Sequence, residues 1–517
     1  MPLSLAWSRD QLSSRFALVT LPIDQGYALE GLNFKVDGET AIVKLQSDRI
    51  SVSKVPGACH LLESLVVFFL ASAFLFFPSN ANAQAANIYV AQNATGAGTG
   101  GSCADALAVS FFNSSGNWGT GASQIGGGTT VHLCGTITSN LTFQQNGTSG
   151  RPVVLDGTGA TMSAYINTGT QYWTIQNCVW STSYATNSPT QAVIQTQGGA
   201  AFGTIQGNHI DVMNSAQVIF FQNITHDITV LNNYLRVSTP SGGDGFDTDV
   251  IDTEGAYNIM VQGNYIAMNV GAGDENCGGC HDDLTQVWGS GGNPANAPYN
   301  WTYRYNYFVQ ESSPAKTNNQ SLMMMEQIGT GYWKIYGNVF QCASSGSSGN
   351  GITFDSNTGG MVASIYDNTI VENAGACNNL FNLSGSGVYN LENNIIYNTD
   401  AGNALTGGVT FAVRASNLWY GPNIPSCVAT EICGKNPLFS NFSGNNFSLQ
   451  SSSPAAGVGV DLGALFDQYP VPGATWPNPD LGTRSLVSAW DLGAFATSGA
   501  SGGQPTPPSS LTATVTN

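Results

Sequence analysis

From about residue 170 onward, apolar or aromatic residues alternate with polar ones, and each short run closes on an asparagine. After one intervening residue an aliphatic or aromatic side chain follows. Copies of the phrase are Trp173-Thr-Ile-Gln-Asn177, Thr204-Ile-Gln-Gly-Asn208, Thr229-Val-Leu-Asn-Asn233, Ile259-Met-Val-Gln-Gly-Asn264 and Thr302-Tyr-Arg-Tyr-Asn306, with four more closing on Asn338, Asn368, Asn394 and Asn417. Alternation with a period of two predicts strands. Asparagine at a bend tolerates left-handed backbone, and its amide can bond to an asparagine stacked above it. Successive asparagines lie 31, 25, 31, 42, 32, 30, 26 and 23 residues apart. That jittered period fits one solenoid coil with loops of varying length. A propeller or sandwich would instead need antiparallel hairpins with two-residue Asn-Gly turns.

Composition sharpens this picture. Charged residues make up only 9% of the 517, and glycines number 62, a balance that favours strands and tight turns over helices. A solenoid can use several hundred residues around one continuous core, so the length does not force a second domain.

The repeat resembles that of the right-handed parallel β-helix proteins, the superfamily that contains pectate lyases and polygalacturonases, over roughly residues 87 to 495. The opening Asn87-Ile-Tyr-Val and Gly128-Thr-Thr-Val-His-Leu-Cys134 look like the first coils of secreted members. Asn436-Pro-Leu-Phe, Phe447-Ser-Leu-Gln-Ser-Ser-Ser-Pro454-Ala and Asp491-Leu-Gly-Ala494 are similar to the closing segment of bacterial ones. The resemblance implies an all-β fold, a right-handed parallel β-helix with an asparagine ladder, and these motifs identify a fold rather than a reaction.

Residues 1–57 are an unassigned leader. The apolar run Leu61 to Phe77, after Lys54 and before Pro78-Ser-Asn-Ala-Asn-Ala, has the layout of a secretory signal at 58–83, cut after Ala83. An uncleaved anchor is the alternative, disfavoured by the short run and Glu63. The chain is therefore expected to be secreted or displayed at the cell surface, with no membrane contact after cleavage and as a monomer. Its β-helix domain spans 84–495. From 496 to 517 a Gly, Ser and Pro rich linker leads into Pro507-Pro-Ser-Ser-Leu-Thr-Ala-Thr-Val-Thr-Asn517, which resembles the first strand of a fibronectin type III domain. An oxidising compartment permits the pairs Cys103 with Cys134, Cys342 with Cys377, and Cys427 with Cys433. Cys277-Gly-Gly-Cys280-His281 matches the order of c-type haem attachment, but in this setting a local disulfide between Cys277 and Cys280 is preferred to haem or zinc.

The formal charge is −18. The first 83 residues hold 7 acidic and 6 basic side chains, which leaves 25 and 8 downstream, or −17. This argues against nucleic acid. It favours a polysaccharide partner that is neutral or bridged by calcium. Polar residues crowd most densely between Asp244 and Glu326, around the insertion Gly289 to Asn300. Aligning coils by their asparagines places Asp252, Gln286, Glu326 and Asp355 in one column, Asp249 and Asp283 in a second, and Asp247 beside His281. Parallel strands stack about 4.8 Å apart, so such columns bring carboxylates within acid–base or cation-bridging reach. Asp249, Asp252, Asp283 and Glu326 are the candidate acids or Ca²⁺ ligands, with His281 or Arg304 as proton-transfer partner. Gln286, Trp288, Trp301, Tyr303 and Lys334 are candidates for substrate binding, since sugar rings stack on aromatic faces. Asp282-Asp283 with Asp249 and His281 is loosely similar to the polygalacturonase acids, but the Gly-His-Gly and Arg-Ile-Lys motifs of those enzymes are missing. Two functions follow: a polysaccharide lyase or hydrolase working through the carboxylates, and a non-catalytic adhesion module, which the scarcity of basic residues favours.

Overall fold

A computed structural model describes residues 34–37 and 40–43 and, between 87 and 496, all but 241–245, 272–281, 290–296, 313–320, 327–329, 343–348, 356–357, 373–376, 400–401 and 464–489. The chain divides into two compact units, Met1–Ala81 and Asn82–Asn517. In the first, Phe34–Asp37 pairs antiparallel with Thr40–Val43. The expected signal, the linker, Cys277, Cys280 and His281 lie outside the described residues. No helix among those described is long and apolar enough to cross a membrane.

The second unit is a right-handed parallel β-helix. Each coil contributes one strand to each of three long sheets; Thr248–Glu254, Tyr257–Gln262 and Tyr265–Asn269 make up one such coil. The first sheet has 9 strands, the second 13 and the third 12, and neighbouring strands in each come from successive coils. Pairing from coil to coil is parallel, and the right-handed winding is the hand almost all such crossovers take. Inward side chains stack on their own kind: Trp301 on Trp333 at 6.2 Å between rings, and Phe308 on Phe340 at 4.7 Å. Both tryptophans are fully buried.

The short bend between the second and third sheets carries the asparagine ladder. In it, Nδ2 of Asn208, Asn233, Asn264, Asn306, Asn338, Asn368 and Asn394 each donates to Oδ1 of the next asparagine at 2.9–3.0 Å, ending at Asn417. Every rung is buried to within about 1% exposure. The residue before each rung takes left-handed backbone: Gly207, Asn232, Gly263, Tyr305, Gly337, Asp367, Asn393 and Ser416. The ladder begins one residue later than the sequence phrase implies. Asn177 is itself the left-handed residue (φ 55°), and Cys178 fills the rung and donates its backbone N–H to Asn208. A first rung need only donate once, so an amide is not required there. A last rung need only accept, and Glu431 fills that role. Its carboxylate takes Asn417 Nδ2 at 3.1 Å, Trp419 Nε1 at 2.8 Å and the Arg414 guanidinium at 2.8–3.0 Å.

The closing motifs form a cover over the outer face of the third sheet. Phe439, Phe447, Leu449, Leu492, Ala494 and Phe495 pack with Tyr307, Val339, Val371, Ile395 and Leu418, which point away from the solenoid core. Burying that second apolar surface explains why the third sheet's outer columns are hydrophobic. Among the described residues, disulfides join Cys103 to Cys134, Cys342 to Cys377 and Cys427 to Cys433, as the spacing predicted. They are compatible with an extracellular protein. Cys178 is a buried free thiol.

Candidate functional site

The acidic residues sit on the outer face of the first sheet. In Thr248–Glu254 both Val250 and Ile251 join the core, so the strand turns a corner there. The turn directs Asp249, Asp252 and Glu254 away from the core. The same corner recurs one coil on, and register then pairs Asp249 with Asp283, Asp252 with Gln286 and Glu254 with Trp288.

Three outer columns result. The first runs Gln217, Asp249 and Asp283, passes to Ser321, whose N–H donates to Asp283 Oδ1, and goes on through Asn350 and Asn379 to Asn403. The second runs Phe220, Asp252, Gln286, Met324, Thr353, Asn382 and Thr406. The third holds Glu254, Trp288, Glu326 and Asp355. The expected pairing of Asp249 with Asp283 is present. The expected column of Asp252, Gln286, Glu326 and Asp355 is corrected: Glu326 and Asp355 stand two positions along, beside Trp288, and Met324 and Thr353 take their places. The reason is corner length. Twelve residues separate Asp252 from its ladder Asn264, but 14 separate Met324 from Asn338 and 15 separate Thr353 from Asn368, so alignment on the ladder slides the first sheet.

The aromatic and basic candidates divide similarly. Trp301 and Tyr303 are fully buried in the core and cannot stack on a sugar, a correction that follows from strand parity: alternate residues of Tyr299–Arg304 point inward. Trp288 is half-buried on the site face, and its Nε1 donates to Asp252 Oδ1 at 3.1 Å. Arg304 and Lys334 belong to the second sheet, not the sheet that carries the acids. The Arg304 guanidinium donates to Gln262 and to the Tyr336 hydroxyl, and the Lys334 ammonium lies 4.3 Å from the Tyr332 ring centre. His281 lies outside the described residues.

Electrostatically the cluster is costly. Asp249, Asp252, Asp282 and Asp283 are all buried, at 5% exposure or less. Burial is the main force holding the Asp249 carboxyl well above the usual range, and the charges of Asp252, Asp283 and Asp247 push it the same way. Burial also lifts Asp252 to about 7, against hydrogen bonds from Trp288 and Thr253 that favour its ionised form. Backbone N–H groups answer part of the charge: Asp283 donates to Asp249 Oδ1 at 3.1 Å, Thr248 to Asp282 Oδ1 at 3.2 Å, and Ser321 to Asp283 Oδ1. One rung before Asp249, Gln217 Oε1 is buried with no hydrogen-bond partner among the described residues. The sequence signal for Gln217 was available: it lies two residues before Ile219 as Asp249 lies two before Ile251, yet it stands outside the dense acidic stretch.

These shifts predict a pH dependence. Asp252 rises from an ordinary 3.8 to about 7, so the folded state holds its proton where the unfolded chain has lost it. The penalty is absent below about pH 4, grows as pH rises, and is complete above about 7, on the order of 4 kcal/mol. In chelator the protein should melt several degrees lower at pH 7.5 than at pH 5, and the difference should shrink in Asp252→Asn. Equal pH slopes in wild type and variant would remove Asp252 from this role.

No family model matches the chain, and no curated protein does. Among solved structures it is similar to the crystal structure of pectate lyase Pel9A, at 14% identity and a TM-score of 0.50, over 79% of this chain and 96% of that one. At that identity the likeness is one of fold.

Proposed function

We infer that the chain is an exported, polysaccharide-active β-helix protein whose acidic cluster holds a divalent cation, Ca²⁺ by its all-oxygen donor set, and engages the carboxylate of a uronate-containing glycan. One observation carries this: stacked carboxylates at Asp249 and Asp283, with Asp252 and Asp282 near, are buried on an outer sheet face without a cationic side chain on the described strands of that sheet. Like charges in that setting cost stability unless something offsets them. The neighbouring Gln217 Oε1 supplies the kind of neutral oxygen that hard cations take alongside carboxylates.

The residues fit the ion by chemistry: carboxylate and amide oxygens are the donors that Ca²⁺ takes. Among the described residues the trio of metal-ligating types with atoms within 4.8 Å is Cys427, Glu431 and Cys433, which is spent on a disulfide and the ladder's last rung. Asp249, Asp252 and Asp283 would hold the ion, with Gln217 as a fourth donor. When bound, the ion neutralises a uronate carboxylate and acidifies the adjacent ring proton for β-elimination. On the protein side, Trp288 orients Asp252, and backbone N–H groups fix one oxygen of Asp249 and one of Asp283. Since Arg304 is held on the second sheet, His281 is the base we propose. Glu326, beside Trp288, lines the face rather than the cluster.

Incubating the protein with polygalacturonate, alginate and xylan, with calcium or chelator, tests this reading. Absorbance of unsaturated products that disappears with chelator is expected. Reducing ends without that absorbance would instead make the carboxylates a hydrolytic acid and base. Silence from folded protein would leave the adhesion module.

A further inference from the structure

The same two outer columns that carry the acids change character along the solenoid axis. Beyond Asp283 the first column reads Ser321, Asn350, Asn379 and Asn403, and beyond Gln286 the second reads Met324, Thr353, Asn382 and Thr406. Exposure grows in the same direction. Asn350 is 8% exposed, Asn379 and Asn382 are half-buried, and Asn403 is exposed.

These side chains are ordered by one another. Asn379 Nδ2 donates to Asn350 Oδ1 at 2.8 Å, Asn403 Nδ2 to Asn379 Oδ1 at 3.4 Å, and the Thr406 hydroxyl to Asn382 Oδ1 at 3.4 Å. An amide can make about four hydrogen bonds, so rung-to-rung bonding leaves capacity facing outward. The ladder at the other corner of the coil is wholly buried; this one opens to solvent. It begins three rungs, or about 14 Å, past Asp283 at the strand spacing. An extended glycan laid along the axis from the acidic cluster meets these amides at about one rung per sugar.

Charge decides what kind of sugar. The described strands of this sheet carry no Lys, Arg or His, while Glu326 is half-buried and Asp355 exposed beside the strip. A run of uronates here would lie on a sheet face whose described strands offer carboxylates and no cationic side chain. Uncharged rings would meet hydroxyl and amide groups of matching hydrogen-bonding type.

We propose that Asn379, Asn382, Asn403 and Thr406 form a glycan-binding strip for uncharged sugar units, so that the substrate carries a carboxylate at the acidic cluster and neutral or esterified residues beside it. The strip rests on the proposed function for its connection to chemistry, but its binding is measurable separately.

The test is retention of the full chain on an array of neutral, methyl-esterified and free uronate oligosaccharides, with calcium affinity measured in parallel. Retention is expected on neutral or esterified glycans, with an affinity loss of about fivefold in each of Asn379→Ala and Asn403→Ala and no change in calcium affinity. Both sites are solvent-facing, and unchanged melting temperatures check the fold. Asn403→Lys should extend retention to free polyuronates. Retention on free uronates by the wild type, equal retention by both alanine variants, or none on any glycan overturns the strip. Loss of calcium binding with the strip intact would overturn the proposed function alone.

Discussion

Asp249→Asn is expected to raise the melting temperature of the calcium-free protein at pH 7.5 while abolishing the further rise that calcium gives the wild type. The two effects have one cause. Asp249 is buried at 1% exposure and held protonation-prone by burial and by three neighbouring carboxylates. An asparagine of the same shape keeps an oxygen for the Asp283 N–H at 3.1 Å and removes the charge. The gain should be about 3 kcal/mol, the scale of an uncompensated buried charge. In the wild type, calcium at a hundredfold its dissociation constant should return about 2.7 kcal/mol; the variant should show none of it. Thermal melts of both proteins in chelator and in calcium read all four values. A structural aspartate would behave oppositely, with Asn lowering stability and calcium indifferent.

The second large effect belongs to the ladder. Asn306→Leu removes a fully buried amide that donates to Val261 O at 2.8 Å and Asn338 Oδ1 at 3.0 Å, and that accepts from the Asn264 backbone and side chain, both at 3.0 Å. Leucine fills the space but takes the side-chain acceptor from the Asn264 backbone N–H and amide and the side-chain donor from the Val261 carbonyl, and leaves Asn338 Oδ1 only the backbone N–H of residue 306, at 2.9 Å. A loss of about 4 kcal/mol is expected, above the mean for a single substitution. Denaturant unfolding measures it. Asn177→Ala, one coil before the ladder starts, should cost far less, because Cys178 and not Asn177 occupies that rung. Equal losses at the two positions would mean that the amide chain is not cooperative.

The ladder and the first sheet also differ in how far the sequence discloses them. The bend has a fixed length: one left-handed residue precedes each rung, so Asn208 to Asn417 could be aligned by eye. The other corner varies from coil to coil, so counting from the ladder misplaced Glu326 and Asp355 by two positions while leaving Asp249 and Asp283 correctly paired. Parity was equally decisive. Trp301 and Tyr303 share a strand with Arg304 and look alike in composition, but alternate residues face opposite ways, and only register says which. Gln217 was missed because an amide carries no charge to draw attention; its importance comes from the buried oxygen beside Asp249. Glu431 was invisible as a rung, since nothing in a period of asparagines announces that its last member should be an acid.

The acidic columns are proposed to bind a cation. Titrating calcium into the protein at pH 6.5 by calorimetry, in two buffers of different ionisation enthalpy, tests it most directly. One ion per chain, bound with release of protons from the raised carboxyls and lost in Asp283→Asn, is the predicted result. No binding heat, or binding that survives Asp249→Asn combined with Asp283→Asn, would contradict it.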